Sequence, residues 1–412
     1  MVQNDNRSTQ TELIPKLRFR DYKEPWTLKK IGDVLTLVTR PIKMKDEEVY
    51  SLVTVKRRYG GIVPRGDYKG KEVKVKSQFL LEENDFLISK RQISHNACGL
   101  VPKNLVGSIV SNEYSVFLPK ENMNIEYFDY FSQLPKVSQT FFLSSTGVHI
   151  EKMIFKVDTW FKWEFPFPSI NEQQKITSFL SAVDEKIHLL NKKYILLNTY
   201  KEGVIQKIFS KEIKFADEKG EPFPNWEQKK LGDMLEQIVD NRGKTPPIDA
   251  GEHPLIEVNA VGKRKINFNV ISKFVSSSTY KTWFRKYLKK GDVLFSTVGA
   301  TGLCSIYEED RIAVIAQNLV ALRFKTENPL FMFYLLTEKH NNHKFKRIEM
   351  GAVQPSLKVS QIINIKFAVP KVNEQNKIAE FLSSIDMRIE RVNEQIEQTE
   401  TFKKGILQKV FV

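Results

Sequence analysis

The chain has 412 residues, 41% of them hydrophobic, and a formal net charge of +15. That length and apolar content support two or three folded domains, and the basic excess favours an anionic partner such as nucleic acid or an acidic membrane surface. Two cysteines, Cys98 and Cys304, are too few for a disulfide framework and too isolated for a zinc cluster, and are expected to be reduced and partly buried in a cytoplasmic protein. No stretch approaches the roughly 20 apolar residues of a bilayer crossing, so no membrane partner beyond surface attachment is expected.

In chain order, residues 1–14 read as a disordered polar tail, neither a signal peptide nor a transit peptide. Residues 15–167 open with Trp26-x-x-Lys29-Lys30-Ile31-Gly32-Asp33 and carry a strand signal after an acidic turn, Glu83-Asn84-Asp85-Phe86-Leu87-Ile88-Ser89. Residues 168–212 open with Pro168-x-x-Asn171-Glu172-Gln173-x-Lys175-Ile176. The apolar positions Ile176, Phe179, Val183, Ile187, Leu190, Tyr194 and Leu197 then recur at three- and four-residue spacing. That is a narrow stripe on one face of a helix, as in a coiled-coil seam. Forty residues of helix would be about 60 Å long. Asn171 reads as the N-cap, with Glu172 in the first turn.

Half a chain later the pattern returns. Residues 213–369 open with Trp226-x-x-Lys229-Lys230-Leu231-Gly232-Asp233 and repeat the strand signal as Gly291-Asp292-Val293-Leu294-Phe295-Ser296. Residues 370–412 repeat the helix, from Pro370-x-x-Asn373-Glu374-Gln375-x-Lys377-Ile378 through Phe381, Ile385, Ile389, Val392 and Ile396 to Lys403-x-Gly405-x-x-Gln408-Lys409, the echo of Lys201-x-Gly203-x-x-Gln206-Lys207. Asn373 takes the place of Asn171 as N-cap. A duplicated chain of this kind presents two similar modules. The reading is therefore α+β. Two tandem globular domains are separated by two long helices that pair as an antiparallel coiled coil, in a pseudo-two-fold internal repeat. Antiparallel pairing is favoured over parallel because a two-fold suits a DNA duplex. The expected helix-pair core is Ile176, Phe179, Val183, Ile187, Leu190, Ile378, Phe381, Ile385, Ile389 and Val392.

Basic residues cluster near turn signals in both halves. The first half offers Lys56, Arg57, Arg58 and Tyr59 before Gly60-Gly61, then Lys69 and Lys71, then Lys90, Arg91 and Gln92. The second offers Asn241, Arg242, Lys244 and Thr245, then Lys263, Arg264 and Lys265, with Thr301 and Gln354 in later loops. Lys and Arg meet phosphates, and Arg, Lys, Asn and Gln also read base edges, so these are the candidate DNA-binding residues. No Walker A loop, dinucleotide-binding glycine pattern or nucleophile elbow is present, and His340 and His343 lack a carboxylate or cysteine partner for a metal. No catalytic residue and no metal ligand is assigned.

These residues resemble the specificity subunit of a type I restriction–modification system. The Pro-x-x-Asn-Glu-Gln-x-Lys-Ile-x-x-Phe-Leu opening of each long helix is the most specific element. The Trp-x-x-Lys-Lys-Leu-Gly-Asp opening is typical of a target-recognition domain, and Gly243-Lys244-Thr245-Pro246, Gly299-Ala300-Thr301-Gly302 and Gly351-Ala352-Val353-Gln354-Pro355 resemble recurrent loops. The first domain departs from the pattern. It lacks the Gly-x-Thr-Pro turn and carries Ser89-Lys90-Arg91-Gln92 in place of Gly-Ala-Thr-Gly. The resemblance implies that each recognition domain reads one half of a split double-stranded DNA target and that the helix pair sets the unread gap. It also implies two modification subunits carrying S-adenosylmethionine, and optional restriction subunits using ATP and Mg, with no cofactor on this chain. A coiled-coil adaptor with basic nucleic-acid-binding domains, or an enzyme with an unrecognised active site, are the alternatives.

Overall fold

The computed structural model describes residues 13–241, 245–351 and 353–412. They form two compact units. One holds the described residues up to Leu190 together with Gln395–Val412, and the other is Asn191–Glu394. The long helices, Ile170–Phe209 and Val372–Val410, each contribute to both units. The unit boundary therefore falls within the helices rather than at their ends.

In the first unit a four-stranded antiparallel sheet has the order Leu35–Val38, Tyr114–Pro119, Phe86–Ser89, Cys98–Leu100. All four residues of Phe86–Ser89 are buried, which explains the unbroken apolar run. The acidic turn before it is fixed by Asp85. Its fully buried carboxylate accepts from Nη1 and Nη2 of Arg40, at 2.8 and 3.0 Å, and from the Glu82 N–H at 2.7 Å. A second, five-stranded sheet carries the hairpin Val49–Val55 and Ile62–Lys69, with Val49–Val55 running parallel to Ile109–Ser111. A short ladder pairs Thr27–Lys30 with Glu164–Phe167 and closes the domain beside the long helix. An aromatic core, including Phe86, Phe117, Phe128, Phe131 and Trp160, fills the space between the four-stranded sheet and the helix Ile125–Ser132.

The second unit repeats this frame with other side chains. Its four-stranded sheet runs Leu235–Val239, Leu319–Phe324, Val293–Ser296, Cys304–Ile306, the same order and sense. Asp292 takes the place of Asp85. It is gripped by Arg323 at 2.8 Å through both oxygens and accepts the Lys289 N–H at 2.8 Å. Glu227–Lys230 pairs with Lys366–Val369, and a three-stranded sheet pairs His253–Ile256 in parallel with Val314–Ile315. Cys98 and Cys304 occupy matching strands, both buried, and burial holds both thiols far above their ordinary range.

Each unit contains its own stretch of antiparallel helix pairing. In the first, Ile176 and Leu180 share a core with Val410 and Phe411, Phe179 meets Phe402 edge-on at 6.4 Å, and Asp184 meets Lys403. In the second, Val204 and Ile208 pack with Ile378, Leu382 and Ile385. In the first, numbers rise on one helix as they fall on the other, from Ile176 beside Val410 and Phe411 to Asp184 at Lys403; in the second, Lys201 pairs with Asp386. Of the expected core positions, Ile176, Val183, Ile378, Ile385 and Val392 are buried, and Phe179, Ile187, Leu190 and Ile389 are half-buried. Phe381 departs from the expectation. It is 36% exposed and packs its ring on Phe215, while its neighbour Leu382 is fully buried, as is Leu180 beside Phe179.

The helix starts also differ from the expectation. Both helices begin one residue before the asparagines, at Ile170 and Val372, so Asn171 and Asn373 lie within the first turn. The Gln173 N–H donates to the Ser169 carbonyl at 2.9 Å, and the Gln375 N–H to the Lys371 carbonyl at 3.0 Å. The repeated glutamines anchor the helix to its domain. Gln173 Nε2 donates to the Pro168 carbonyl at 2.9 Å, and its Oε1 accepts the Asn124 N–H at 2.8 Å. Gln375 does the same with Pro370 and Asn328, at 2.9 and 2.8 Å. Asn124 and Asn328 are in turn the N-caps of Ile125–Ser132 and Pro329–Thr337. No helix among the described residues is long and apolar enough to cross a membrane.

Candidate nucleic-acid interface

The candidate basic residues fall into two classes, those that local carboxylates neutralise and those that remain displayed. In the first unit the segments 56–59 and 90–92 come together. Arg57 Nε donates to Gln92 Oε1 at 2.7 Å, and its Nη2 pairs with Glu151 at 2.8 Å. Lys90 donates to the Asn112 carbonyl, and Arg91 pairs with Glu113 at 2.5 Å. Lys69 and Lys71 share Glu47, at 3.1 and 2.8 Å, and those contacts, Lys71 first, hold the Glu47 carboxyl below the usual range. Tyr59 faces inward. Its hydroxyl donates to the Ser132 carbonyl at 3.2 Å, and burial pushes its pKa up to about 12. Lys56 and Arg58 are exposed and meet no carboxylate among the described residues.

Beside the parallel strand pair of the first unit lies a cleft lined by Arg65, Tyr68, Lys74, Ser111 and Tyr114. The sequence reading missed Arg65. The register of the hairpin shifts between Leu52 and Val53, where Leu52 faces Gly66 and Val53 faces Pro64, leaving Arg65 as the extra residue of a β-bulge. A bulge re-aims a side chain. Its signal was present as Pro64-Arg65-Gly66, since proline and glycine inside a strand mark such irregularities.

The second unit has a cleft at the corresponding place, beside Leu255–Ile256 and Val314–Ile315. It gathers residues from three of the sequence loops: Thr245, Gly299 and Gln354. Gln317 and Asn318 add two more side-chain amides, and Lys273 and Glu257 form an ion pair at 2.8 Å on its wall. Gln317 and Asn318 were not among the sequence candidates, because they lie neither in a basic cluster nor in one of the loops that carry the resemblance. Backbone contacts draw these loops together. Gly299 N–H donates to the Pro355 carbonyl at 2.9 Å and Thr297 N–H to the Asn318 carbonyl at 2.9 Å.

Five second-half candidates lie elsewhere. Thr301 is buried, donates to Glu349 and accepts from Lys346 at 2.9 Å, so its hydroxyl holds a loop rather than facing solvent. Arg264 is bound by Glu308 and Ser383, each at 2.9 Å, and Lys265 by Glu390 at 3.0 Å, which fastens that cluster to the long helix. Asn241 reaches the Lys286 carbonyl at 3.5 Å, and Lys263 is exposed. Arg242, Gly243, Lys244 and Ala352 lie outside the described residues, as do residues 1–12. Among the described residues no cluster of three or more His, Cys, Asp or Glu could hold a metal ion.

Both clefts thus offer hydrogen-bonding and charged side chains on a repeated frame; Arg65, Tyr68, Ser111 and Tyr114 line only the first, and Thr245 and Asn318 only the second, while both carry Lys, Glu and Gln. Comparison with known proteins gives that frame a family. The sequence model of the type I restriction modification DNA specificity domain matches twice, over residues 23–199 and 224–401. The chain is 27% identical over 406 residues to the type I restriction enzyme MjaVIII specificity subunit of Methanocaldococcus jannaschii, covering 93% of this chain and 91% of that one. Two solved structures share the fold. The HsdS subunit from Thermoanaerobacter tengcongensis aligns with a TM-score of 0.53 at 17% identity, over 95% of this chain and 98% of the other. A chain solved in a study of complex assembly and conformational transition of the type I R-M system aligns with a TM-score of 0.58 at 18% identity, over 95% and 99%. With two matched domains spanning most of its length, this chain belongs to the type I restriction–modification DNA specificity family.

Proposed function

We propose that the chain is the subunit that chooses the DNA sequence for a type I restriction–modification complex, with each unit reading one half of a bipartite, asymmetric duplex target. One observation carries this reading. The two units repeat the same scaffold down to single hydrogen bonds, Gln173 with Asn124 and Gln375 with Asn328, while their clefts differ in polar side chains, with Arg65, Tyr68, Ser111 and Tyr114 in one and Thr245 and Asn318 in the other. A constant frame with divergent surfaces suits two readers of different sequences. Phosphate contacts from displayed lysines such as Lys56 and Lys263 would supply salt-dependent affinity, and the cleft amides and Arg65 would contribute to choice.

The chain supplies no catalytic group in this account. Two modification subunits would bring S-adenosylmethionine and methylate adenine, flipping it from the stack. Restriction subunits, where they join, would use ATP and Mg. The complex would act in the cytoplasm. Sequencing of methylated bases in host cells with and without this chain tests the reading. A split methylated motif that vanishes with the chain supports it, and an unchanged methylation pattern contradicts it. Turnover on DNA by the purified chain alone would favour an enzyme instead.

A further inference from the structure

The tip of the first unit's hairpin is built against its own sequence. Gly60 N–H donates to the Arg57 carbonyl at 3.2 Å and closes a four-residue turn. The two central residues, Arg58 and Tyr59, have φ of 57° and 55°. Positive φ at both central positions is the pattern of a type I′ turn, which ordinarily takes Asn-Gly because side chains there crowd the backbone. Here both positions carry large side chains.

The surrounding structure imposes the strained form. Arg58 N–H donates to the His95 carbonyl at 2.8 Å, and Tyr59 N–H to the Asn96 carbonyl at 2.9 Å. The Tyr59 ring packs against the aromatic core, and its hydroxyl reaches the Ser132 carbonyl. Tyr59 thus has a structural reason for its place. The Arg58 side chain has none. It is exposed, and no hydrogen bond or ion pair engages its guanidinium among the described residues. Arg57 and Arg91 nearby, and Lys69 and Lys71 at the far end of the hairpin, each have a carboxylate.

We propose that Arg58 is a base-reading residue of the first unit, whose guanidinium takes the O6 and N7 edge of a guanine in the major groove. The proposal rests on the DNA-specificity reading above and deepens it. A phosphate needs only positive charge, and a flexible lysine such as Lys56 serves for that. A planar fork that must meet two acceptors at once gains from a fixed direction. The backbone contacts that hold the strained turn fix the direction in which the Arg58 side chain leaves the chain.

The test uses the full chain assembled with its modification subunits. Bound duplexes are selected from a pool randomised in sequence, for the wild type, Arg58→Gly and Arg58→Lys, and the melting temperature of each is measured. Glycine accepts positive φ, so Arg58→Gly should melt no lower than the wild type. It should nevertheless lose the preference for guanine at one base pair of one half-site and bind the wild-type target roughly 10-fold more weakly. Arg58→Lys should lose most of the same preference. If both variants select the wild-type motif, the assignment of Arg58 fails while the specificity reading stands. If Arg58→Lys restores binding and Arg58→Gly weakens all duplexes equally, Arg58 meets a phosphate and the proposal is overturned. If the wild type selects no motif, the specificity reading fails first.

Discussion

Lys201 Nζ lies 2.5 Å from Asp386 Oδ1, and the other oxygen of Asp386 accepts the Tyr334 hydroxyl. The same three residue types meet in the first unit, with Lys403 at 2.5 Å from Asp184 and Tyr130 donating to Asp184 at 2.7 Å. Both ammonium groups also stand over the tyrosine ring, 5.6 and 5.4 Å from its centroid. Each latch joins one long helix to the other and to the globular domain. That accounts for the recurrence of Asp184 as Asp386 and of Lys201 as Lys403. The Asp386 side chain is the better buried, at 10% against 37% for Asp184.

Asp386→Asn should therefore destabilise the second unit by about 2–4 kcal/mol, because it leaves the Lys201 ammonium unpaired in a mostly buried site. Lys201→Met combined with Asp386→Asn should cost less than the two single changes added together. Urea denaturation of the full chain checks both statements. Additive losses would mean the two side chains are not coupled.

The first turns of the long helices predict opposite responses to one substitution. Glu172 is buried and accepts Arg18 through both oxygens, at 2.7 and 2.8 Å. Glu374 is equally buried, its Oε2 has no partner among the described residues, and burial holds its carboxyl above the ordinary range. Glu172→Gln should lower stability by about 2–4 kcal/mol by stranding Arg18. Glu374→Gln should raise stability at neutral pH. The raised acid favours its protonated form in the fold, so the wild type loses stability as pH rises through the carboxyl range, and the amide does not. Equal shifts from the two variants in thermal denaturation would contradict this.

Asp129 gives the first unit a pH dependence. Its carboxyl sits between the Leu100 N–H, the Gln133 amide, Asp184 and Lys403, and burial raises its pKa from 3.8 to about 6. The folded state therefore keeps a proton that the unfolded chain has already released. The contribution of Asp129 should be full below pH 4, fall between about pH 4 and 6, and stay level above that, by about 2–3 kcal/mol in all. Asp129→Asn should flatten that slope. Denaturation midpoints measured across pH 4–8 check it, and an unchanged slope in the variant would assign the dependence to other groups.

Much of the frame was legible because repetition singled it out. The long helices follow from the spacing of Ile176, Val183, Ile378 and Ile385, and the central strands from Phe86–Ser89 and Val293–Ser296, runs with no polar break. Seam membership was less legible. Phe179-Leu180 and Phe381-Leu382 place two apolar residues side by side, and periodicity alone does not choose which turns inward. Phe381 instead covers Phe215, a residue of the chain after the first long helix. The interface was least legible, because charge counting does not reveal which cations already have partners. Lys265 and Arg264 read as a basic patch but are held by Glu390 and Glu308, residues distant in sequence.

That choice of inward residue yields its own prediction. Leu382→Ala should cost about 2–5 kcal/mol, the usual loss for an emptied core leucine, whereas Phe381→Ala should cost clearly less. Chemical denaturation of the two variants compares them directly, and a larger loss for Phe381→Ala would return the seam to the phenylalanine.

The most direct measurement of the central claim is an exchange of residues 15–167 for those of a relative with a different target, followed by sequencing of methylated bases in cells carrying the hybrid. Two separate readers on one frame predict a motif with one half replaced and the other half intact. A motif altered in both halves, from a hybrid that still assembles and methylates, would contradict it.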